Sequence, residues 1–86
     1  MAYQVRVPKK VQREVAKLPE RIQKQVINAL KNLRENPRLG TPLKGDLKGY
    51  WSYHIGRAYR IVYRIDDEKK VIWINRVRHR KHAYRR

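Results

Sequence analysis

The sequence predicts an α+β domain in which an N-terminal helical hairpin packs on one face of a mainly antiparallel four-stranded sheet. Two observations lead to this class. Apolar residues recur at helical spacing between positions 8 and 36, and from position 50 onward they alternate with polar residues as in strands. Proline and glycine separate the two patterns. The expected order is β-α-α-β-β-β, and 86 residues suit a single domain.

The first strand and the helical hairpin come first along the chain. Alternation from Tyr3 to Val7 predicts a strand within residues 1–7. Pro8 and Pro19 suit the first turns of two helices, and Asn36-Pro37 ends the second one, because a residue before proline disfavours helical angles. The hairpin therefore spans residues 8–36. Its apolar stripe consists of Val11, Val15, Leu18, Ile22, Val26, Ala29, Leu30 and Leu33.

The second half of the chain predicts a loop followed by three strands. Residues 37–49 contain three glycines and read as a loop. Strands are expected at 51–55, 59–65 and 71–77, which makes residues 50–77 a three-stranded antiparallel part. The connections are Gly56-Arg57-Ala58 and Asp66-Asp67-Glu68. Residues 78–86 are expected to form a basic tail.

Charge and composition narrow the class of function. Lys and Arg number 23 against 7 acids, a net charge of +16, which favours a polyanionic partner: RNA, DNA, an acidic lipid surface or an acidic protein. The absence of cysteine excludes disulfides and zinc–thiolate sites. Apolar runs are too short to span a membrane, and no apolar signal region is evident, so we expect a cytoplasmic domain. The scattered acids and the absence of phosphate-loop or dinucleotide motifs predict neither a metal nor a small-molecule cofactor.

Strand alternation places one group of polar residues together. If the helices cover the face of Tyr59 and Ile61, then Arg60 and Arg64 point to the opposite face, with His54 on the neighbouring strand. Such a face is positive and carries a proton acceptor. Surface arginines and structural histidines are common, so this pattern alone also fits a face without catalytic function.

The C-terminal run Arg76-Val77-Arg78-His79-Arg80-Lys81-His82-Ala83-Tyr84 places two imidazoles and a phenol among cations. RNA cleavage needs a proton acceptor for the 2′-OH, cations for the phosphorane-like charge and a donor to the 5′ oxygen. The alternative is a solvated basic tail that only binds nucleic acid. Lys44 and Lys48 in the loop are phosphate contacts or solvated charges. Trp51 and Trp73 fit packing better than base stacking.

Several of these segments together resemble the RelE/ParE superfamily of bacterial and archaeal toxins. The resemblance covers nearly the whole chain and rests mainly on the Tyr-Arg-Ile-Val-Tyr strand and on a His-Arg ending followed by an aromatic. The matching residues are Leu43-Lys44-Gly45, Leu47-Lys48-Gly49, Ile55-Gly56, Tyr59-Arg60-Ile61-Val62-Tyr63, His79-Arg80 and Tyr84.

The resemblance implies a fold like the small microbial ribonucleases and a partner antitoxin whose extended, often acidic, segments wrap the toxin. It also implies entry into the ribosomal A site and metal-free mRNA cleavage by attack of the 2′-OH. By position, Arg60 and Arg80 match the family's phosphate-stabilising arginines and Tyr84 its C-terminal aromatic. His54 and His79 are the two candidates for the base.

The RNA-binding residues expected around this constellation are Lys44, Lys48, Arg64, Arg78 and Lys81. Four positions depart from the family's pattern. Ser52 and His54 stand where RelE proper has lysines, Arg78 replaces a frequent glycine, and His82 lies near the position of a frequent acid. Two alternatives share the fold and charge. One is a ParE-like toxin that poisons DNA gyrase by protein contact, and the other is a non-catalytic basic RNA-binding module.

Overall fold

The computed structural model describes residues 2–83. Tyr84 therefore lies outside the described residues. Within them the chain forms five strands, three α-helices and two short 3₁₀ turns, at 37–39 and 45–47. The strands and helices are β1 (Gln4–Arg6), α1 (Lys9–Ala16), α2 (Glu20–Glu35), β2 (Thr41–Pro42), β3 (Trp51–Ile55), β4 (Tyr59–Asp66), β5 (Val71–His79) and α3 (Arg80–Ala83).

The five strands form one sheet in the order β1-β5-β4-β3-β2. β1 runs parallel to β5, and the other three pairs are antiparallel, which confirms the mainly antiparallel α+β class. Helices α1 and α2 pack on one face. The side chains with relative exposure of 1% or less in this layer come from α2, β4 and β5: Leu33, Ile61, Tyr63, Ile72, Ile74 and Val77.

Proline sets the predicted ends of the helical hairpin. Pro8 and Pro19 are extended residues immediately before α1 and α2, and their carbonyls accept hydrogen bonds from the first helical turn. Helix α2 ends at Glu35 because Asn36, which precedes Pro37, is extended at φ −144° and ψ 91°.

The expected number of four strands is wrong, because the 37–49 loop contains the fifth strand, β2. Its two residues pair with Trp51 and Ser52 at the edge of the sheet. A strand of this length has no alternation to detect. Pro42 is tolerated there, since an edge position does not require its missing N–H.

The expected basic tail at 78–86 is also corrected. Strand β5 continues through Arg78 to His79, and Arg80–Ala83 form helix α3. Contacts of α3 reach β4 and β5, and Ala83 is 1% exposed. Tertiary packing rather than helix propensity stabilises so short a helix.

A buried phenol fastens the 37–49 loop to the sheet. The Tyr63 hydroxyl donates a hydrogen bond to the Pro37 carbonyl at 2.6 Å and accepts one from the Gly40 N–H at 3.2 Å. A Cβ on Gly40 would lie 2.5 Å from this hydroxyl and 2.7 Å from the Ser52 carbonyl oxygen. Glycine is therefore required at position 40 by close approach to β3 and β4.

A second contact joins the start of the chain to the β4–β5 turn. Asp67 accepts hydrogen bonds from the Tyr3 hydroxyl at 2.6 Å and from both terminal nitrogens of Arg38 at 2.6 and 3.2 Å. The hydrogen bonds from Arg38 and then Tyr3 hold the pKa of the Asp67 carboxyl below its usual value. The charge of Asp67 is thus already paired within the protein.

Candidate active site

One face of the sheet carries a row of basic residues drawn from three strands. His54 of β3 and Arg78 of β5 are the register partners of Arg60 in β4, so all three Cα atoms lie in one row across the sheet. The face turned towards α1 and α2 carries Tyr59, Ile61 and Tyr63 instead. We call the opposite surface the arginine face, defined by His54, Arg60, Arg64, Arg76 and Arg78.

A β-bulge puts the end of β5 onto this face. The register runs from Tyr63 opposite Ile74 to Val62 opposite Arg76, which leaves Asn75 as an extra residue. Without the bulge, Arg76 would share the buried face of Ile74, two residues earlier. The spacing of apolar residues reflects the bulge: the buried residues Ile74 and Val77 are three positions apart, whereas a regular strand buries every second residue.

The guanidinium of Arg60 is held against the β3–β4 turn. Its Nη1 donates to the Tyr59 carbonyl at 2.8 Å and to the Arg57 carbonyl at 3.3 Å. These bonds fix the orientation of a half-buried side chain whose register partner is His54. Because arginine presents a planar fork of donors, Nε and Nη2 can still address a phosphate.

Helix α3 brings Arg80 to the same turn. The Arg80 N–H donates to the Ala58 carbonyl at 2.6 Å, and the Arg76 Nη1 donates to the Ala83 carbonyl at 3.2 Å at the other end of the helix. These two bonds place the start of α3 beside the turn that holds Arg60 and its end beside Arg76 of the arginine face. The side chains of Arg80 and Lys81 are exposed.

His79 lies on the other face of the sheet. Its register partner is Tyr59, whose ring it meets edge-on at a centroid distance of 5.6 Å. The His79 Nδ1 accepts the Lys81 N–H at 3.2 Å and so caps the first turn of α3. This bond assigns the proton of the neutral ring to Nε2. The structure thus brings His54 and Arg60 together, but not His79 with either.

Arg78 is engaged by an acid that the sequence patterns did not single out. Glu14 of α1 accepts from the Arg78 guanidinium at 2.8 and 3.2 Å through one carboxylate oxygen. Its other oxygen accepts the Val77 N–H at 3.2 Å. The Glu14 carboxylate therefore accepts a hydrogen bond from the edge of β5 at a position that β1 does not reach. Nothing in the sequence around Glu14 predicts this contact with β5.

The remaining candidate RNA-binding residues occupy the other end of the sheet. Lys44 and Lys48 flank the 3₁₀ turn at 45–47 and are exposed. Lys48 and Arg64 line a groove of about 560 Å³ that also contains Tyr50 and Trp73. This groove lies away from the His54–Arg60 pair along β4.

Among residues 2–83, no group of three or more His, Asp or Glu side chains is arranged to hold a metal ion. In the same part of the chain, no helix is long and apolar enough to cross a membrane.

Comparison with known proteins agrees with this architecture. Residues 5–84 match the sequence model described as the ParE toxin of the type II toxin-antitoxin system parDE. The chain is 43% identical to Toxin RelG of Mycobacterium tuberculosis over 88 residues, covering 100% of both chains, and 36% identical to Toxin RelE of that organism over 96% of this chain and 87% of the relative.

A solved structure gives the same result in three dimensions. The toxin–antitoxin complex RelBE2 from M. tuberculosis contains a chain that superposes with a TM-score of 0.85 and 40% identity, over 93% of this chain and 100% of that one. The fold is thus that of the RelE-like toxin in this complex. The chain belongs to the ParE toxin family, within the RelE/ParE superfamily of type II toxin–antitoxin systems.

Proposed function

We propose that this toxin is an endoribonuclease that cuts mRNA in the ribosomal A site by attack of the 2′-OH on the adjacent phosphate. The observation that carries the proposal is the register pairing of His54 with Arg60 on the arginine face, next to the turn that anchors Arg80. A proton acceptor and permanent cations are two of the three kinds of group that this reaction needs, and the third is a proton donor for the leaving 5′ oxygen.

In the proposed step, His54 takes the 2′-OH proton while the 2′ oxygen forms a bond to phosphorus. The bond from phosphorus to the 5′ oxygen breaks, which leaves a 2′,3′-cyclic phosphate and a 5′-OH end. Arg60 and Arg80 stabilise the charge that develops on the phosphate oxygens. Tyr84 is assigned to the nucleotide and to protonation of the leaving 5′ oxygen.

His54 is the better candidate for the base on geometric grounds. It shares a face with Arg60, whereas His79 faces the helical hairpin and accepts a backbone N–H through Nδ1. His79 then acts as a positioning residue, because the helix that it caps begins at Arg80. Arg78 is likewise a positioning residue through its ion pair with Glu14.

The proposal includes an acidic antitoxin partner in addition to the ribosome and mRNA. The similar M. tuberculosis chain is part of a toxin–antitoxin complex. A net charge of +16 would attract a negatively charged segment quickly, and such a segment would also cover the arginine face.

The test uses ribosomes programmed with a defined mRNA and mapping of the mRNA ends. Arg60→Ala and His54→Ala are each expected to lower the cleavage rate by about 10²- to 10³-fold, because each removes a group that acts in the transition state. Arg21→Ala is the matched control, since it removes one exposed positive charge from α2, on the far side of the sheet.

Full cleavage by Arg60→Ala would contradict the assignment of the site. A gyrase supercoiling assay run beside it tests the other branch of the family. Inhibition of supercoiling by the wild-type toxin without mRNA cleavage would replace the ribonuclease proposal with a ParE-like one. Ribosome binding with neither effect would support a non-catalytic RNA-binding module.

A further inference from the structure

A second row of residues crosses the arginine face about four residues further along β4. Trp73 of β5 has Arg6 of β1 as its register partner on one side and Arg64 of β4 on the other. Val5 packs into the core, so its neighbour Arg6 turns to the same face as Trp73. The row thus alternates cation, aromatic and cation, and Tyr50 extends it beyond Arg64.

Trp73 does not pack as the sequence pattern suggested. It is 41% exposed, whereas Val62 on the same face is 1% exposed. The Arg64 guanidinium lies 5.8 Å from the centroid of the Tyr50 ring, and both residues line the 560 Å³ groove with Trp73. Exposed aromatic rings beside an arginine are the combination with which proteins bind single-stranded nucleic acid by stacking.

The charges in the groove favour a base over a phosphate. Lys48 and Arg64 line it together with Asp66 and Glu68, so these two cations are matched by two acids. Asp67, which also lines the groove, is bound to Arg38. Carboxylates repel phosphate but accept hydrogen bonds from the exocyclic amino groups of bases. A base that stacks on the Trp73 ring and turns its amino group towards these acids would contact both the aromatic and the acidic side chains of the groove.

We propose that the groove formed by Trp73, Tyr50, Arg64 and Lys48 is a base-stacking subsite for single-stranded RNA, separate from the cleavage site. Arg64 follows Arg60 by four residues on one strand, a distance of about 13 Å. The subsite therefore holds a base beyond the two nucleotides that flank the cleaved phosphate. The inference rests on the proposed function in taking RNA as the ligand, but it concerns binding and not cleavage.

The first experiment measures binding of a 2′-O-methyl RNA hexamer, which lacks the nucleophile and so is not cut. In a Trp51→Phe variant, Trp73 is the single tryptophan of the chain. Saturable quenching of its fluorescence by the hexamer is expected, because a stacked base lies against the indole. Absence of saturable quenching would overturn the subsite, as would quenching by an acidic partner protein but not by RNA.

The second experiment uses the wild-type background and a fluorescein-labelled hexamer followed by anisotropy. Trp73→Ala is expected to weaken binding about 5- to 100-fold, and Trp73→Phe to retain most of the affinity. Ile27→Ala is the matched control, since Ile27 is an exposed apolar residue of α2, 56% exposed and on the other side of the molecule. Equal affinity of Trp73→Ala and wild type would overturn the inference.

Salt dependence separates stacking from charge. The loss in Trp73→Ala is expected to be the same factor at 50 and 200 mM NaCl, whereas Arg80→Ala, which removes a proposed phosphate contact at the cleavage site, reduces the slope of log affinity against log salt by about 0.7. If Trp73→Ala loses affinity while the wild type cuts no mRNA, the subsite stands and the cleavage proposal fails. If Arg60→Ala abolishes cleavage while Trp73→Ala binds normally, the subsite alone fails.

Discussion

At the scale of single residues, Tyr63 shows how a polar atom in the core specifies a loop. Its side chain is 0% exposed, and its hydroxyl bonds to two backbone groups of the 37–49 loop. Burial raises the pKa of Tyr63 to about 12, because a phenolate would lose its hydration. A phenolate also cannot donate to the Pro37 carbonyl.

Tyr63→Phe is expected to lower the free energy of unfolding by about 1–3 kcal/mol at pH 7, since it leaves the Gly40 N–H and the Pro37 carbonyl without this partner. Urea titration measures the loss. Val62→Ala, a neighbouring truncation on the opposite face, is the comparison for a purely apolar loss. A wild-type midpoint in Tyr63→Phe would show that the two backbone groups find other partners.

The same residue predicts a pH dependence with a definite sign. Its native pKa lies above the unfolded value near 10, so the native state holds a proton that the unfolded chain has lost. The contribution is fully present below pH 10 and disappears as pH rises towards about 12. The difference in unfolding free energy between wild type and Tyr63→Phe should therefore shrink over this interval. A constant difference would contradict the shift.

Some positions of the site residues could be predicted from the sequence and others could not. Alternation placed Arg60 and His54 on one face, and the register confirms that they are partners. Alternation could not place His79, because the bulge at Asn75 shifts every later residue of β5 to the opposite face. Glu14 was missed because its partners Val77 and Arg78 are 63 and 64 residues away in sequence.

At the scale of elements, strong periodicity and proline made the helical hairpin and the long strands predictable. Strand β2 and helix α3 have two and four residues, too few for a period to appear. Contacts hold them instead: the Tyr63 hydroxyl beside β2, and the Ala58 carbonyl and Arg76 at the two ends of α3. Such elements depend on packing that a single sequence does not display.

Helix α3 offers a prediction that separates positioning from proton transfer. His79→Ala removes the cap on the Lys81 N–H, whereas His79→Asn restores an acceptor of the type preferred at this position. We expect His79→Ala to destabilise α3 by about 0.5–2 kcal/mol and to slow mRNA cleavage, and His79→Asn to recover most of the rate. Hydrogen exchange of the Lys81 amide reports the cap directly.

The paired variants make the outcome decisive. Asparagine does not titrate near neutral pH, so a histidine that accepted the substrate proton could not be replaced by it. Equally severe loss of cleavage in His79→Ala and His79→Asn, with normal protection of the Lys81 amide in the second, would assign proton transfer to His79 rather than to His54.

At the scale of the whole molecule, the net charge of +16 opposes folding while it favours binding. Seven acids cannot neutralise 23 cations, and the arginine face concentrates five basic residues on one surface. Mutual repulsion in the compact state raises its free energy relative to the expanded chain. The same charge makes contacts to phosphates strongly dependent on salt. Folding and RNA binding should therefore respond to salt in opposite directions.

We expect the melting temperature of the free toxin to rise when NaCl increases from about 20 to 300 mM, because the Debye length falls from roughly 20 Å to below 8 Å and screens the repulsion. The exposed ion pair between Arg38 and Asp67 weakens under the same change, but one such pair contributes little beside a net charge of +16.

A Lys10→Gln/Lys31→Gln double variant, which removes two exposed helix charges, should have a higher melting temperature than wild type at low salt and a smaller increase on addition of NaCl. Affinity for the RNA hexamer falls over the same range. A melting temperature that decreases with NaCl would show that ion pairs within the fold outweigh the repulsion.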